Sequence, residues 1–424
     1  MTRLTRRTLL RAGAAFASSA AIGCPSISHA LPDTIRIGHL TPLTGFLGNL
    51  GAYAQLGIRM AEAEINAEGG VMGRPLEVMS EDSVNPTTAA IKAQRMLERD
   101  GAAVLMGEIN SASALAIIQV AARSKRLYMQ IGGRSDELRG KSCNRYSFHV
   151  DIPSTTEVNI VGRALMRDNM MKGRTFSTIT ADYLFGHDLA RAARGFLDAN
   201  GGRLVDDQRV ATDVTDFRPY LAKISAAKPD MVCANLIGSQ LTDLVRQYGA
   251  SGLTSPIIGF NLNTADVWAA GEGHLSGTWP TVWYHTLDVP ASKAFVAAFI
   301  KRHGKVPENH AWIEYVSLKM MARAFAETRS TDTATLIGYF EKETPFDILK
   351  ARQGYFRKSD HQLMQEAYPF TVRASTAGTT TGSTLREPRK DLFDMMALGA
   401  AVPAPDEALD AIALPSSAQA SCTL

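Results

Sequence analysis

Cysteine is scarce in this chain. There are four in 424 residues, and none stands in a CxxC or Cys/His spacing that would hold a metal, so no metal site is expected. No apolar run reaches the ~20 residues that a helical membrane span needs. No block of Lys or Arg builds the basic face that nucleic acid requires. A GxGxxG fingerprint is missing, since Gly132-Gly133 stands alone, and Ser111 has neither a GxSxG nor an HxD context. Neither a cofactor nor covalent chemistry is signalled. Asp182 and His187 form the best catalytic pair on offer and read as loop surface, which leaves an amide hydrolase as the weakest class.

The 45% hydrophobic and 21% charged fractions are those of ordinary globular material, and the length suggests two or three domains. The net charge of +3 misleads. Residues 1–30 hold Arg3, Arg6, Arg7 and Arg11 with no acid, then an apolar run from Ala12 to Gly23, then Ser28-His29-Ala30. This is a secretory signal peptide, and the Arg6-Arg7 pair gives it a twin-arginine character that implies export after folding. Taking those four arginines from 45 basic residues leaves the mature chain one base short of its 42 acids. Cys24 follows Ala21-Ile22-Gly23, a weak lipoprotein-type box. The cysteine is expected to leave with the signal, with lipid anchoring as the alternative.

From Asp33 onward, short apolar runs alternate with amphipathic stretches, the pattern of an open parallel sheet covered by helices on both faces. Its central element runs from Ala102 to Ala122. An apolar strand reaches Gly107, turns through Glu108, Ile109 and Asn110, and enters a helix at Ser111. Such a turn leaves backbone N–H groups unpaired at the positive end of a helix dipole, which suits an anion, although Ser111 or Ser113 could simply cap the helix. Tyr146 to Asp151 reads as a crossing segment, after which a second βα series begins, with Asp182 to His187 as the loop after its first strand. Trp279 to Tyr284 reads as another crossing, and Trp312 to Glu327 as a long helix with one buried face.

The run Ile35-Arg36-Ile37-Gly38, then Thr44-Gly45, Ile65 to Gly70, Gly73-Arg74-Pro75 and Asp82 resembles the type I periplasmic solute-binding proteins of branched-chain amino-acid ABC transporters. The likeness extends through Gly107, Asn110-Ser111, Ala181 to Gly186 and Asp360-His361-Gln362. It implies an α/β fold of two doubly wound parallel-sheet lobes joined by a three-segment hinge. Residues 31–151 and 285–365 would form the first lobe, and 152–284 with 366–424 the second. The implied protein is a periplasmic monomer that performs no chemistry, captures a small solute between its lobes and hands it to a membrane permease. A ligand sensor feeding a receptor is the alternative.

By the same resemblance, the solute carboxylate would meet Asn110, Ser111 and the loop of Gly133, Arg134 and Ser135, where a guanidinium could grip it with two prongs. Phe46, Leu50, Tyr183 and Phe185 would form apolar walls. Asn261 would stand where amino-acid binders of this family place the carboxylate that meets the α-ammonium, with Asp266 or Asp182 as other sources of that charge. An aromatic or aliphatic acid is therefore expected first, and a branched-chain amino acid or amide second.

The Gly140 to Cys143 run and a cysteine near the C-terminus look like one subgroup of the family, which implies a Cys143–Cys422 disulfide. The enclosed loop is long, so the chain-entropy model allows on the order of 5 kcal/mol. Non-reducing peptide mapping of protein recovered from the periplasm should yield a 143–422 cross-linked peptide. Recovery of both thiols free would contradict the pairing.

Overall fold

Strand β1 (Ile35–Thr41) is buried at six of its seven residues, as a central parallel strand must be. The computed structural model describes residues 34–271, 276–372 and 396–413, and the expected signal segment, Cys24 and Cys422 lie outside them. After β1 the chain runs through α1 (Gly48–Ala67), β2 (Leu76–Asp82), α2 (Pro86–Glu98), β3 (Val104–Gly107), α3 (Ser111–Ser124), β4 (Tyr128–Gln130) and β5 (Ser147–His149). The five strands form one parallel sheet in the order β2-β1-β3-β4-β5.

A second series follows: α4 (Ser154–Arg167), β6 (Thr175–Ala181), α5 (Leu184–Ala199), β7 (Arg203–Val210), α6 (Arg218–Ala227), β8 (Met231–Asn235), α7 (Ser239–Ala250), β9 (Ile257–Ile258) and α8 (Thr264–Ala270). Its four strands are again parallel, in the order β7-β6-β8-β9. The winding reverses between β1 and β3 in one sheet and between β6 and β8 in the other, and open sheets of this kind receive ligands beyond the strand ends at that point.

The remaining chain returns to both lobes. Strand β10 (Gly277–Thr281) packs on α4 and leads to α9 (Pro290–His303), α10 (Asn309–Thr328) and α11 (Thr333–Phe340). Helix α10 lies along α1, and Gly57 makes that approach possible: a Cβ there would stand 2.0 Å from the Ala311 carbonyl oxygen. Two short strands, β11 (Tyr355–Phe356) and β12 (Leu363–Met364), pair with each other. Then β13 (Tyr368–Val372) pairs antiparallel with β10 and with β14 (Met396–Leu398).

Several elements depart from expectation for local reasons. The Tyr146 to Asp151 segment supplies a fifth strand before the chain crosses. Residues 45–51 are helical, and Gly51 permits a close approach within them: a Cβ there would lie 1.8 Å from the Pro42 carbonyl oxygen. Asn110 caps α3 in place of Ser111 or Ser113, its side chain accepting from the Ala112 and Ser113 amides. Trp279 to Tyr284 begins as a sheet strand.

One buried apolar cluster runs through both lobes, joining Leu47 and Leu50 to Phe185, Phe260 and Trp268. A second fills the space around α2 and α3, with Leu184 of the other lobe against it. Cys233 is a buried free thiol, its ionisation pushed well up by burial. Cys143 is also buried, and it is not a free thiol. Among the described residues no helix is long and apolar enough to cross a membrane.

Candidate functional site

At the end of β3 the chain takes positive φ at Gly107 (106°) and at Glu108 (75°). A non-glycine residue there stores strain on the order of 1–3 kcal/mol. The conformation folds the Glu108 carboxylate back on its own turn, where Oε1 accepts from the Ile109 amide at 3.0 Å and the Asn110 amide at 2.7 Å. Those two amides of the expected anion turn are thus taken by the chain itself, and those of Ala112 and Ser113 go to the Asn110 side chain. Burial raises the Glu108 carboxyl to about 8, against the lowering effects of the Ser83 hydroxyl and the two amides. Its Oε2 is sealed from solvent without a partner in hydrogen-bond geometry. Ser111 is buried, and its hydroxyl accepts from the Ser135 amide at 3.2 Å.

Arg134 is buried between the lobes. Its Nε donates to Asp151 Oδ2 at 2.7 Å, and its Nη1 donates to Glu157 Oε1 at 3.0 Å and to Asn261 Oδ1 at 2.6 Å. The remaining Nη2 faces the Asn309 amide oxygen at 3.2 Å. The guanidinium expected to grip a solute carboxylate thus faces four protein acceptors, and its bond to Asn261 joins the first lobe to the second. Glu157 shares that burial, which lifts its carboxyl to about 8 despite Arg134. Ser135 donates to Asp188 on α5, a second tie between lobes, and the Glu137 amide bonds the same carboxylate at 3.0 Å. Gly133 is closely packed, since a Cβ there would lie 2.5 Å from Gln130 Nε2.

Arg139, which the motif reading passed over, holds this loop in place. It is fully buried and donates to the Gly133 and Ser135 carbonyls at 2.7 and 3.0 Å, to the Asp151 carbonyl at 2.7 Å and to Gln362 Oε1 at 2.6 Å. Burial lowers its guanidinium to about 10, against the opposing charges of Asp151, Asp136, Asp360 and Glu157. Its only signal in the sequence was five-residue spacing from Arg134.

On the second lobe, Tyr183 stands edge-on to Phe46 with centroids 5.8 Å apart, so these two expected wall residues do meet. Leu50 and Phe185 are buried in the core. Helix α5 begins at Leu184, which turns Phe185 into the core at 1% exposure, and Leu50 lies at 0% within α1. Asn261 is fully buried, its amide nitrogen donating to the Leu236 carbonyl at 2.8 Å. Gly238, at φ 65°, packs so closely on the first lobe that a Cβ would lie 2.0 Å from the Phe46 carbonyl oxygen.

The two other acids separate cleanly. Asp182 pairs with His187 at 2.7 Å on the surface, about half exposed. Asp266, on the unforeseen helix α8, is buried at the lobe junction, accepts from the Gly238 amide at 2.8 Å and is raised to about 7 by burial. Across from it lie Glu308 and His310 at the start of α10, and Tyr53 of α1, which meets Trp268 edge-on at 6.3 Å. The junction therefore gathers Asp151, Glu157 and Glu308 around Arg134.

A family model for periplasmic binding proteins matches residues 34–379. The chain is 26% identical over 321 residues to Leu/Ile/Val-binding protein homolog 7 of Brucella melitensis, covering 71% of this chain and 79% of that protein. Among solved structures, a periplasmic binding protein from Burkholderia mallei gives a TM-score of 0.77 at 25% identity, covering 90% of this chain and 99% of that one. A solute-binding protein of an ABC transporter from R. palustris, in complex with benzoate, gives 0.72 at 20% identity, covering 80% and 94%.

The raised carboxyls make stability fall as pH rises. Glu108 binds its proton more tightly folded than unfolded, so its contribution is full below its ordinary 4.5 and is lost as pH passes about 8. Groups shifted the other way, such as His149 and Lys350, oppose this slope in the wild type but cancel in a comparison with a variant. Denaturant titrations of wild type and Glu108→Gln, which keeps the acceptor for both amides, should show the variant gaining relative stability from about pH 5 to about pH 8. A pH-independent difference would contradict the buried carboxyl.

Proposed function

The chain belongs to the periplasmic binding protein family, and from that premise we propose that it is the solute-binding component of an ABC transporter. It captures a small carboxylate-bearing organic solute between its lobes: an aromatic or aliphatic acid, or a branched-chain amino acid. The observation that carries this reading is the meeting of two sets of parallel-strand ends at Arg134 and Asn261, with aromatic side chains beside them. The benzoate held by one structural neighbour and the Leu/Ile/Val-binding name of a relative supply the solute classes.

Asp151 and Gln362 lie on chain passages between lobes, in keeping with a hinge near 151–152, 284–285 and 365–366. The Asp182–His187 pair stays about half exposed to solvent, in keeping with binding without turnover. The twin-arginine signal delivers the protein to the periplasm, where it acts as a monomer and docks on a membrane permease, with Cys143 and Cys422 cross-linked.

A solute that binds only the closed form stabilises it by RT ln(1 + [L]/Kd), about 2.7 kcal/mol at a hundredfold excess over Kd. Calorimetry with leucine, phenylalanine, benzoate-type acids and short amides should find at least one carboxylate that binds and is recovered unchanged. Small-angle scattering should show the radius of gyration shrink with that solute. Binding confined to the amides, or product formed on incubation, would overturn the proposal.

A further inference from the structure

Residues 401–413 run across the chain passage between the lobes, and both lobes grip them. The loop before β11 supplies Arg352, whose Nη2 donates to the Pro403 carbonyl at 2.8 Å and whose Nη1 donates to the Glu407 carbonyl at 2.9 Å. That loop belongs with the first sheet, since Phe356 beside it meets Phe148 of β5 edge-on at 5.3 Å. From the second lobe comes α4. Its Arg163 bonds the Glu407 carboxylate at 3.0 Å and the Ala411 carbonyl at 3.2 Å, while Thr156 and Asn159 each donate to the Ile412 carbonyl at 3.1 Å. Glu407 thus spans the lobes by itself, its carbonyl held by one and its carboxylate by the other.

Thr156, Asn159 and Arg163 stand at i, i+3 and i+7, on one face of α4. Glu157, which receives Arg134 in the cleft, lies roughly 130° around the helix from the centre of that face at 3.6 residues per turn. Helix α4 therefore stands between the cleft and residues 401–413. Ile412 is seated at 1% exposure, and with Leu409 it closes a small cavity whose other walls include Ile152, Pro153, Leu363 and Gln365, next to the two passages. When two bodies rotate apart about an axis, whatever lies behind the axis is squeezed. Packed protein yields little to compression, so chain seated there opposes opening.

We propose that residues 401–413 are a wedge behind the hinge that holds the lobes toward the closed form, anchored on the second lobe by the Arg163–Glu407 pair. The wedge rests on the two-lobed hinge of the reading above and is independent of which solute binds. Opening requires it to shift on α4, where its hold is one partly exposed ion pair, three hydrogen bonds to carbonyls and the Ile412 side chain. Such a hold yields without unfolding either lobe, so a contact outside the cleft sets the balance between open and closed forms.

Electron-spin distance measurements on solute-free protein test this, with labels on Asn49→Cys at the start of α1 and Asp213→Cys after β7, exposed positions at the cleft ends of their strands. A control separates the wedge from the hinge. Gly238→Leu drives a side chain onto the Phe46 carbonyl oxygen, 2.0 Å from where its Cβ would stand, and should part the labels. Arg163→Met and Glu407→Gln alter side chains that are 41% exposed, and each should raise the ratio of long to short distances about two- to fivefold, the worth of one exposed ion pair. Labels that part in Gly238→Leu but keep the wild-type ratio in both wedge variants overturn the wedge and leave the hinge standing. Labels that stay together in folded Gly238→Leu overturn the hinge and the wedge with it. A shift toward shorter distances in the wedge variants also overturns the wedge.

Discussion

Asp151 is the residue on which the two lobes and the solute loop depend. Its Oδ2 takes Arg134, its Oδ1 takes the Ile152 amide, and its carbonyl takes both Arg139 and Gln362 Nε2. Two guanidinium groups and a carboxylate could not be buried here singly, since desolvating an unpaired ion costs far more than a domain's margin of stability. Together they are affordable, and breaking such a pair by removing one partner typically costs about 3–5 kcal/mol. The geometry of the Gly133–Ser135 loop is therefore fixed to the chain passage between lobes.

Other contacts reinforce the passage from behind. Lys350 is buried under Trp312, donating to Gln365 Oε1 at 2.8 Å and the Glu366 carbonyl at 2.6 Å, while Gln365 Nε2 donates to the Val150 carbonyl at 2.6 Å. The segment 401–413 crosses the same region. Val402 pairs with Ala367, Arg352 holds the Pro403 and Glu407 carbonyls, and Arg163 of α4 pairs with Glu407 at 3.0 Å. Backbone ties on this side and side-chain ties on the cleft side leave rotation about the passage as the natural soft motion.

Much of the fold was legible because hydrophobic periodicity and glycine punctuation report secondary structure directly. The strand reaching Gly107, the helix entered after it and the long helix spanning Trp312 to Glu327 fall where their patterns put them. Short elements escaped. Helix α8 has seven residues, too few for a helical period to declare itself, and it carries Asp266. The site was less legible than the fold because the role of a polar residue depends on what closes over it. Glu108 and Arg134 both sit in the turns that the sequence singled out. Only three-dimensional packing shows that one fills its own anion nest and that the other is committed to Asp151, Glu157 and Asn261. Tyr183 and Phe185, two positions apart, part company because a helix starts between them.

Arg134 ties the lobes together through Asn261. A double-mutant cycle tests it most directly, with Arg134→Met, Asn261→Leu and the pair compared by denaturant unfolding in solute-free protein. A charge-assisted hydrogen bond between lobes predicts a coupling energy of about 1–3 kcal/mol without any solute present. Additive effects in the solute-free protein, with coupling that emerges only when solute is supplied, would show instead that the guanidinium waits for its ligand.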